Sequence, residues 1–318
     1  MLKKINSNFV MKVLLIIYAV IILTGILFAI IGHLRLDINF RGGARIAYSY
    51  EEPKNNDGKT IELKQSDFES AVKETLGKID FTVSQNEGFN GGSKTYVISI
   101  SGENTIENKT QEGLETNLQE KFPDNNISLA ESNSVSPSVA GGFLVKSLVA
   151  VVITAVLVVI YVGIRFKRIG GVSAAITALC ALVLDLLVTF SVCAIFRLQI
   201  DSNYIAVVLT ILGYSLNDTI VVYDRVRETK KYYPQLTLDE NMNRSIGGVM
   251  TRNIVTSVTT IIAVMTIIIV AEIYGLTSLR TFGIPMAFGL VSGCFSSMFI
   301  AGPLWVCWKN IIGTKKKA

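Results

Sequence analysis

Apolar residues along this chain are gathered into six long blocks. A helix needs roughly 20 apolar residues to cross a bilayer, and each block has about that length. The sequence therefore predicts six transmembrane helices, over residues 11–31, 143–164, 171–195, 203–223, 254–271 and 281–305. The first block resembles a signal peptide, but it is too long and His33-Leu34-Arg35 is not a small-residue cleavage site. We interpret it as a retained helix.

The segment between the first two blocks has a different pattern. ARIAYSY alternates apolar and polar residues and predicts a strand, and QSDFESAVKETLG predicts a short amphipathic helix. FTVSQ and TYVISIS predict two further strands, TIENKTQEGLETNLQEKF a second helix and ISLAESNSV a last strand. The order β-α-β-β-α-β is that of a ferredoxin-like domain. The predicted fold is thus a polytopic α-helical membrane protein with one α+β domain.

These patterns divide the chain into four parts. We predict a tail and first helix over residues 1–36, the α+β domain over 37–142, helices two to six over 143–306, and a basic tail over 307–318. Residues 37–142 hold 17 acidic and 10 basic side chains, whereas the remainder holds 8 and 20. The net charge of +5 therefore conceals two different environments.

The cations predict the orientation in the membrane. If the six helices alternate in direction, one side receives Lys3, Lys4, Lys12, Arg165, Lys167, Arg168, Arg225, Arg227, Lys230, Lys231, Arg244, Lys309 and Lys315 to Lys317. The positive-inside rule makes that side the cytoplasm. Both termini are then predicted to be cytoplasmic and residues 37–142 extracytoplasmic. Because the basic charge follows this rule, nucleic acid is not a predicted partner.

Asp218 places a carboxylate inside an apolar span, in YIAVVLTILGYSLNDTIVVYDRVRE. A charge at that depth costs about 2.5–3.5 kcal/mol on insertion scales, so such residues face a protein interior and mark ion or proton pathways. Asn217 and Thr219 extend the polar interruption. We predict that Asp218 belongs to a proton pathway with these two as supporting residues; a purely structural role is the alternative.

Two other spans carry polar stripes. On the third span Thr177, Asp185 and Thr189 share one helical face. We include Asp185 in the predicted pathway, with a structural hydrogen bond between helices as the alternative reading.

The fifth span carries the second stripe, made of Arg252, Thr256 and Thr259. Counted from the cytoplasmic side, Arg252 reaches a depth similar to that of Asp218. We predict that Arg252 acts with Asp218 and that the two threonines support it; the alternative is that Arg252 only extends toward the membrane surface.

The sequence contains no recognisable catalytic or cofactor motif. The four cysteines lie within predicted spans, where buried small side chains are expected, and no zinc spacing, phosphate loop or dinucleotide fingerprint occurs. We predict no metal, no cofactor and no enzymatic activity. An intramembrane aspartyl protease would need Asp185 and Asp218 side by side, but their predicted depths differ and no GxGD is present.

Four stretches together resemble one known family. SLNDTIVVYDRVRE, which includes Asp224 and Arg225, closely resembles the signature of the SecF family of protein-export membrane proteins. DINFRGG, with Asp37, Gly42 and Gly43, agrees in order and spacing, as do TRNIVTSVTT and GCFSSMFIAGPL. The resemblance covers essentially the whole chain.

The resemblance implies both an architecture and a function. It implies a six-helix module of the resistance-nodulation-division type that pairs with SecD beside the SecYEG translocon in the lipid of the cytoplasmic membrane. Proton flow would then move the exported domains and draw a preprotein outward. The family's proton-pathway carboxylate matches Asp218 and its partner arginine matches Arg252. A small-molecule or lipid exporter of the same superfamily is the alternative function.

Overall fold

The structure is a computed structural model that describes residues 7–53, 63–77, 79, 81–86, 94–101, 108–274 and 277–315. The chain forms two compact units. The first contains residues up to Arg35, Leu148–Ile268 and the chain from Thr281 onward. The second contains Leu36–Ser147 and Ile269–Arg280. The outermost predicted lysines, at positions 3, 4, 316 and 317, lie outside the described residues.

The described residues include six helical segments that are long and apolar enough to cross a membrane, as the sequence predicts. They are Ser7–Gly32, Pro137–Arg165, Gly171–Ile195, Ser202–Tyr232, Leu238–Ile273 and Leu279–Ile311. The corresponding helices are α1 Ser7–Phe28, α5 Pro137–Arg165, α6 Gly171–Ile195, α7 Ser202–Tyr232, α8 Leu238–Ile273, α9 Thr277–Ser296 and α10 Gly302–Lys315. A π-helical turn, Ser297–Ala301, connects α9 to α10.

Helix α8 begins well before residue 254, where hydropathy alone places the start of the span. Thr237 and Glu240 form a capping box: the Glu240 N–H donates to Thr237 Oγ1 at 3.3 Å, and the Thr237 N–H donates to Glu240 Oε2 at 3.1 Å. The first turns then bury an apolar stripe made of Met242, Ile246 and Val249. The cap and this packing define the start of the helix. Hydropathy misses it because hydropathy detects only the part of a helix that crosses the hydrocarbon.

All the other spanning segments except Gly171–Ile195 also extend beyond the predicted limits, and α7 continues nine residues past its predicted end at residue 223, to Tyr232. Helix α5 begins at Pro137, so residues 137–142 are helical although the sequence assigns them to the α+β part. Proline suits a first helical position because the N–H it lacks would have no intrahelical partner there. Helix α10 runs to Lys315 and so continues through much of the predicted tail.

The second unit has the predicted order of elements. Its strands and helices are β2 Gly43–Tyr50, α3 Gln65–Leu76, β3 Phe81–Asn86, β4 Lys94–Ser101, α4 Asn108–Lys121 and β5 Ser128–Val135. The sheet order is β3-β4-β2-β5, and every neighbouring pair is antiparallel. The remaining short elements are a π-helical turn at Ala29–His33, β1 Arg35–Leu36, α2 Ile38–Arg41, β6 Gln199–Ile200 and 3₁₀ turns at Pro123–Asn125 and Lys167–Ile169.

Alternate residues of the two central strands build the core of this unit. Ile46, Tyr48 and Tyr50 of β2 and Tyr96, Ile98 and Ile100 of β4 are almost completely buried. The Tyr96 ring stacks on Tyr50 at 4.7 Å and on Phe68 of α3 at 4.3 Å between ring centroids. The Tyr96 hydroxyl donates to the Leu63 carbonyl at 2.6 Å, so its burial leaves no unsatisfied donor.

The DINFRGG stretch forms a tight connection into β2. Asp37 precedes α2, is buried, and accepts a hydrogen bond from Asn39 Nδ2 at 2.7 Å. Gly42 ends α2 with φ of 77°, and a Cβ atom at this position would lie 2.8 Å from the Pro137 Cα atom. Gly43, with φ of 130°, opens the strand. Only glycine meets both requirements at position 42.

We predict that Gly42→Ala destabilises the second unit by at least about 1–3 kcal/mol, because alanine disfavours this backbone conformation and its Cβ meets backbone atoms. The measurement is the temperature at which trypsin cleaves this unit in the purified full chain. Gly141→Ala is the matched control: its Cβ would meet nothing within 4 Å in α5, so it should be neutral or stabilising by up to about 1 kcal/mol. Equal cleavage temperatures for both variants would contradict the packing argument.

Candidate functional site

Asp185 of α6 lies at the centre of a cluster of serine hydroxyls. The carboxylate has no solvent exposure and accepts three hydrogen bonds. Ser292 Oγ donates to Oδ1 at 2.6 Å, while Ser296 Oγ and Ser215 Oγ donate to Oδ2 at 2.7 and 2.8 Å. We call these four residues the hydroxyl cage. Its bonds join α6 to α7 and α9.

Two further hydroxyls extend the cage. Tyr18 of α1 donates to the Ser292 carbonyl at 2.8 Å, and its oxygen lies 2.9 Å from Ser292 Oγ. Ser297 is the first residue of the π-helical turn, and its hydroxyl donates to the Ser215 carbonyl at 2.9 Å. The network therefore reaches a fourth helix.

Small residues bring α9 close enough to form the cage. Ser292 and Ser296 are four residues apart and share one face of α9. Between them, a Cβ at Gly293 would lie 3.0 Å from the Ser215 Cβ, and one turn earlier a Cβ at Gly289 would lie 2.8 Å from Thr189 Oγ1. The GxxxG spacing thus permits the close packing typical of membrane helices.

Asp218 has a different and sparser environment. It is 3% exposed, and Ser257 Oγ of α8 lies 3.5 Å from its Oδ2, which is long for a hydrogen bond. Cys294 of α9 also contacts Ser257. Thr219 is buried beside Asp218, and its hydroxyl donates to the Ser215 carbonyl at 3.1 Å. One turn of α7 therefore connects Asp218 to the hydroxyl cage through Ser215.

Asn253 adds buried polar atoms on the same face of α8 as Ser257, one turn away. It is 1% exposed, and neither its amide nitrogen nor its amide oxygen has a hydrogen-bond partner within the part of the chain that the structure describes. An unpaired buried amide costs about 1–3 kcal/mol.

The predicted stripe of α8 lies on its exposed side. Arg252, Thr256 and Thr259 are all exposed, and both threonine hydroxyls donate to carbonyls of their own helix. Arg252 is close enough for its charge to act on Asp218, but no ion pair within 4 Å joins these two described residues. Asn217 is exposed as well. The side chain that α8 presents to Asp218 is Ser257.

The remaining predicted residues occupy other places. Thr177 and Thr189 are buried on the same face as Asp185, as predicted, and Thr177 shares a 2.9 Å hydrogen bond with the Tyr223 hydroxyl. Asp224 and Arg225 lie at the charged end of α7, where Asp224 pairs with Arg165 at 3.0 Å. Asp37, Gly42 and Gly43 belong to the second unit.

The two membrane carboxylates bind different partners. Among the hydrogen bonds of the described residues, none joins Asp185 to Asp218, so the structure does not form the shared-proton pair of an aspartyl protease. The serines of the hydroxyl cage are not among the residues predicted from the sequence. The signal was present in GLVSGCFSS, where Ser292 and Ser296 have helical spacing, but serines are too common in membrane helices to be assigned without a partner.

Comparison with known proteins places this arrangement in a family. Residues 114–311 match the family model described as protein export membrane protein SecD/SecF, C-terminal. The chain belongs to the SecD/SecF family. Protein translocase subunit SecF of Alicyclobacillus acidocaldarius is 32% identical over 288 residues, which is 90% of this chain and 86% of that protein.

Relatives that combine SecD and SecF in one chain are also similar. Protein translocase subunit SecDF of Bacillus subtilis is 34% identical over 303 residues, covering 94% of this chain but 37% of that protein. The crystal structure of SecDF from Thermus thermophilus, a translocon-associated membrane protein, matches 94% of this chain and 38% of its own, with a TM-score of 0.72 and 24% identity. This SecD/SecF family member thus has the same fold.

We predict that Ser296→Ala destabilises the chain by about 1–3 kcal/mol, since a buried carboxylate loses one of its three donors. Thermal unfolding of the purified full chain in detergent is the measurement. Thr259→Ala is the control, because that exposed hydroxyl bonds only to carbonyls at Val255 and Thr256; its effect should stay within about 0.5 kcal/mol. If the two variants unfold alike, the cage does not stabilise the helix packing.

Proposed function

We propose that this chain is an accessory subunit of the Sec protein-export machinery. Paired with SecD, it couples the proton-motive force to the movement of preproteins across the cytoplasmic membrane. The observation that carries this proposal is the sparsely bonded, buried carboxylate of Asp218 in a chain that aligns with a SecF subunit along most of its length.

The contrast between the two carboxylates supports different roles for them. Asp185 has three donors at 2.6–2.8 Å, so a change there would disrupt several helix contacts at once. Among the described residues, Asp218 has one hydrogen-bond contact, to Ser257 at 3.5 Å, so its protonation state can change with less rearrangement. We assign proton exchange to Asp218, and to Asp185 the positioning of α7 and α9 around it.

The energy available to this site suits conformational work. Each charge that crosses the membrane carries about 2.3 kcal/mol per 100 mV. That is enough to bias an equilibrium between two helix packings, but not to break covalent bonds. The chain is therefore proposed to couple energy and not to catalyse a reaction.

The exposed side of α8 supports pairing with SecD. Arg252, Thr256 and Thr259 would put polar groups into lipid if the chain stood alone, and a second membrane module would cover them. The Bacillus subtilis relative carries SecD and SecF in one chain. We propose that Arg252 acts on Asp218 from this interface, with SecYEG and the preprotein as further partners of the pair.

The cation distribution supports a matching topology. Both termini lie in the cytoplasm, and the segment that carries strands β2 to β5 and helices α3 and α4 forms a ferredoxin-like domain on the outer side. Proton movement at Asp218 would be transmitted through the spanning helices to that domain, which contacts the preprotein.

We predict that Asp218→Asn abolishes the stimulation of protein export by the proton-motive force. Asparagine has nearly the same shape and costs less to bury, so assembly should be unchanged while titration is lost. The measurement is preprotein export in energised membrane vesicles that contain the variant with SecD. Thr210→Val, which changes an exposed side chain of the same helix whose hydroxyl donates to the Ala206 carbonyl, should retain most of the stimulation. Full stimulation by Asp218→Asn would make Asp218 structural.

We predict that Arg252→Lys impairs export through Asp218. Lysine retains the charge but lacks the planar guanidinium group that fixes orientation. A double-mutant cycle with Asp218→Glu, measured as export rate, should give a coupling energy above about 0.5 kcal/mol. Additive effects would leave Arg252 as an interfacial residue. The matched control is Arg244→Lys, whose guanidinium stacks on Tyr233 at 3.8 Å outside the site.

A further inference from the structure

The helical unit contains a basic pocket that has no part in the proton pathway. It lies between the end of α5, with the turn that follows it, and the last turns of α7, and it has a volume of about 660 Å³. One lining residue, Glu228, is acidic. Six lining side chains are cationic: Arg165, Lys167, Arg168, Arg227, Lys230 and Lys231.

Nearby carboxylates compensate only some of this charge. Asp224 pairs with Arg165 at 3.0 Å and with Arg227 at 2.9 Å. Glu228 pairs with Arg225 at 2.6 Å, and Arg225 is not one of the six cationic residues that line the pocket. Within the described part of the chain, the four remaining cations have no carboxylate within 4 Å: Lys167, Arg168, Lys230 and Lys231. The pocket therefore has an uncompensated positive wall.

The pocket lining also has an apolar part, and the Lys231 Nζ atom lies 5.8 Å from the centre of the Tyr232 ring. Ile164 lines the pocket and is 62% exposed, and Tyr232, also lining it, is 64% exposed. The exposed strip continues along the outer face of α5 through Tyr161, Ile160 and Leu157. That face lies in the hydrocarbon region, so one cavity joins a cationic wall to a surface that contacts acyl chains. Aromatic residues such as Tyr232 are typical of the membrane–water boundary.

We propose that the basic pocket binds an anionic phospholipid. Its phosphate would contact Lys167, Arg168, Lys230 and Lys231, and one acyl chain would lie along Ile164 and the outer face of α5. Basic pockets between membrane helices are suited to such headgroups. A soluble phosphate compound would satisfy only the cations, whereas a phospholipid also covers the exposed apolar part of the lining.

Binding there would connect α5 and α7, which among the described residues are joined at this boundary by one ion pair, Arg165–Asp224. Because Lys230 and Asp218 lie on the same helix, a lipid held by α7 and the α5–α6 turn would fix the end of the helix that carries the proposed proton site. The inference itself rests only on the chain's location in a membrane, so it stands or fails independently of the proton-pathway proposal.

The test is the binding of dioleoyl phosphatidylglycerol to the purified full chain in a neutral detergent, followed by native mass spectrometry, with dioleoyl phosphatidylcholine as the reference lipid. Lys230→Gln and Lys167→Gln should each weaken phosphatidylglycerol binding about fivefold, the factor expected for about 1 kcal/mol per cation. Lys230→Arg should retain binding. Lys12→Gln is the matched control, because it removes an exposed lysine of the same predicted side that does not line the pocket.

Each outcome decides the proposal. Selective weakening by the two pocket variants, with Lys12→Gln and Lys230→Arg unchanged, supports it. Equal weakening by Lys12→Gln would show general surface attraction and overturn it. Equal binding of the two lipids by the unmodified chain would also overturn it, as would displacement of phosphatidylglycerol by millimolar glycerol phosphate, which would identify a soluble ligand.

Discussion

The burial of one carboxylate in the middle of a helix bundle constrains the rest of the helical unit. Asp185 has no access to solvent, so its oxygens have to be compensated from within the protein. Three serines from two neighbouring helices meet that requirement, and they do so only if α7 and α9 approach α6 closely. The glycines of α9 permit this approach, and the tyrosine of α1 completes the network.

A tightly compensated carboxylate beside a sparsely compensated one is a suitable arrangement for energy coupling. Asp185 holds the helices together through its hydrogen bonds. Asp218 lies one turn along α7 from Ser215, which bonds to Asp185, and its only hydrogen-bond contact among the described residues is long. In the proposed function, a change at Asp218 would reach the cage through Ser215, one turn away on the same helix. The π-helical turn that begins at Ser297 lies next to this connection, and such turns are frequent at functional sites.

In α8, the polar face predicted from the sequence differs from the polar face that packs against the other helices. Arg252, Asn253, Thr256, Ser257 and Thr259 give the helix two polar faces, and spacing alone favours either. The structure directs Asn253 and Ser257 inward and leaves Arg252 outward. The outward face has a role only if another membrane module covers it, which is a property of the complex and not of this chain's own pattern.

The sequence by itself determined the number of spans, the order of elements in the second unit and the buried position of Asp218, because each depends on local hydropathy or alternation. It also carried the family resemblance that the comparisons confirm. Only the tertiary structure decided the partners of Asp185, the inward face of α8 and the gathering of four uncompensated cations beside exposed apolar residues. Those features depend on residues far apart in the chain, such as Ser215 and Ser292, and on close helix approach, which no local pattern specifies.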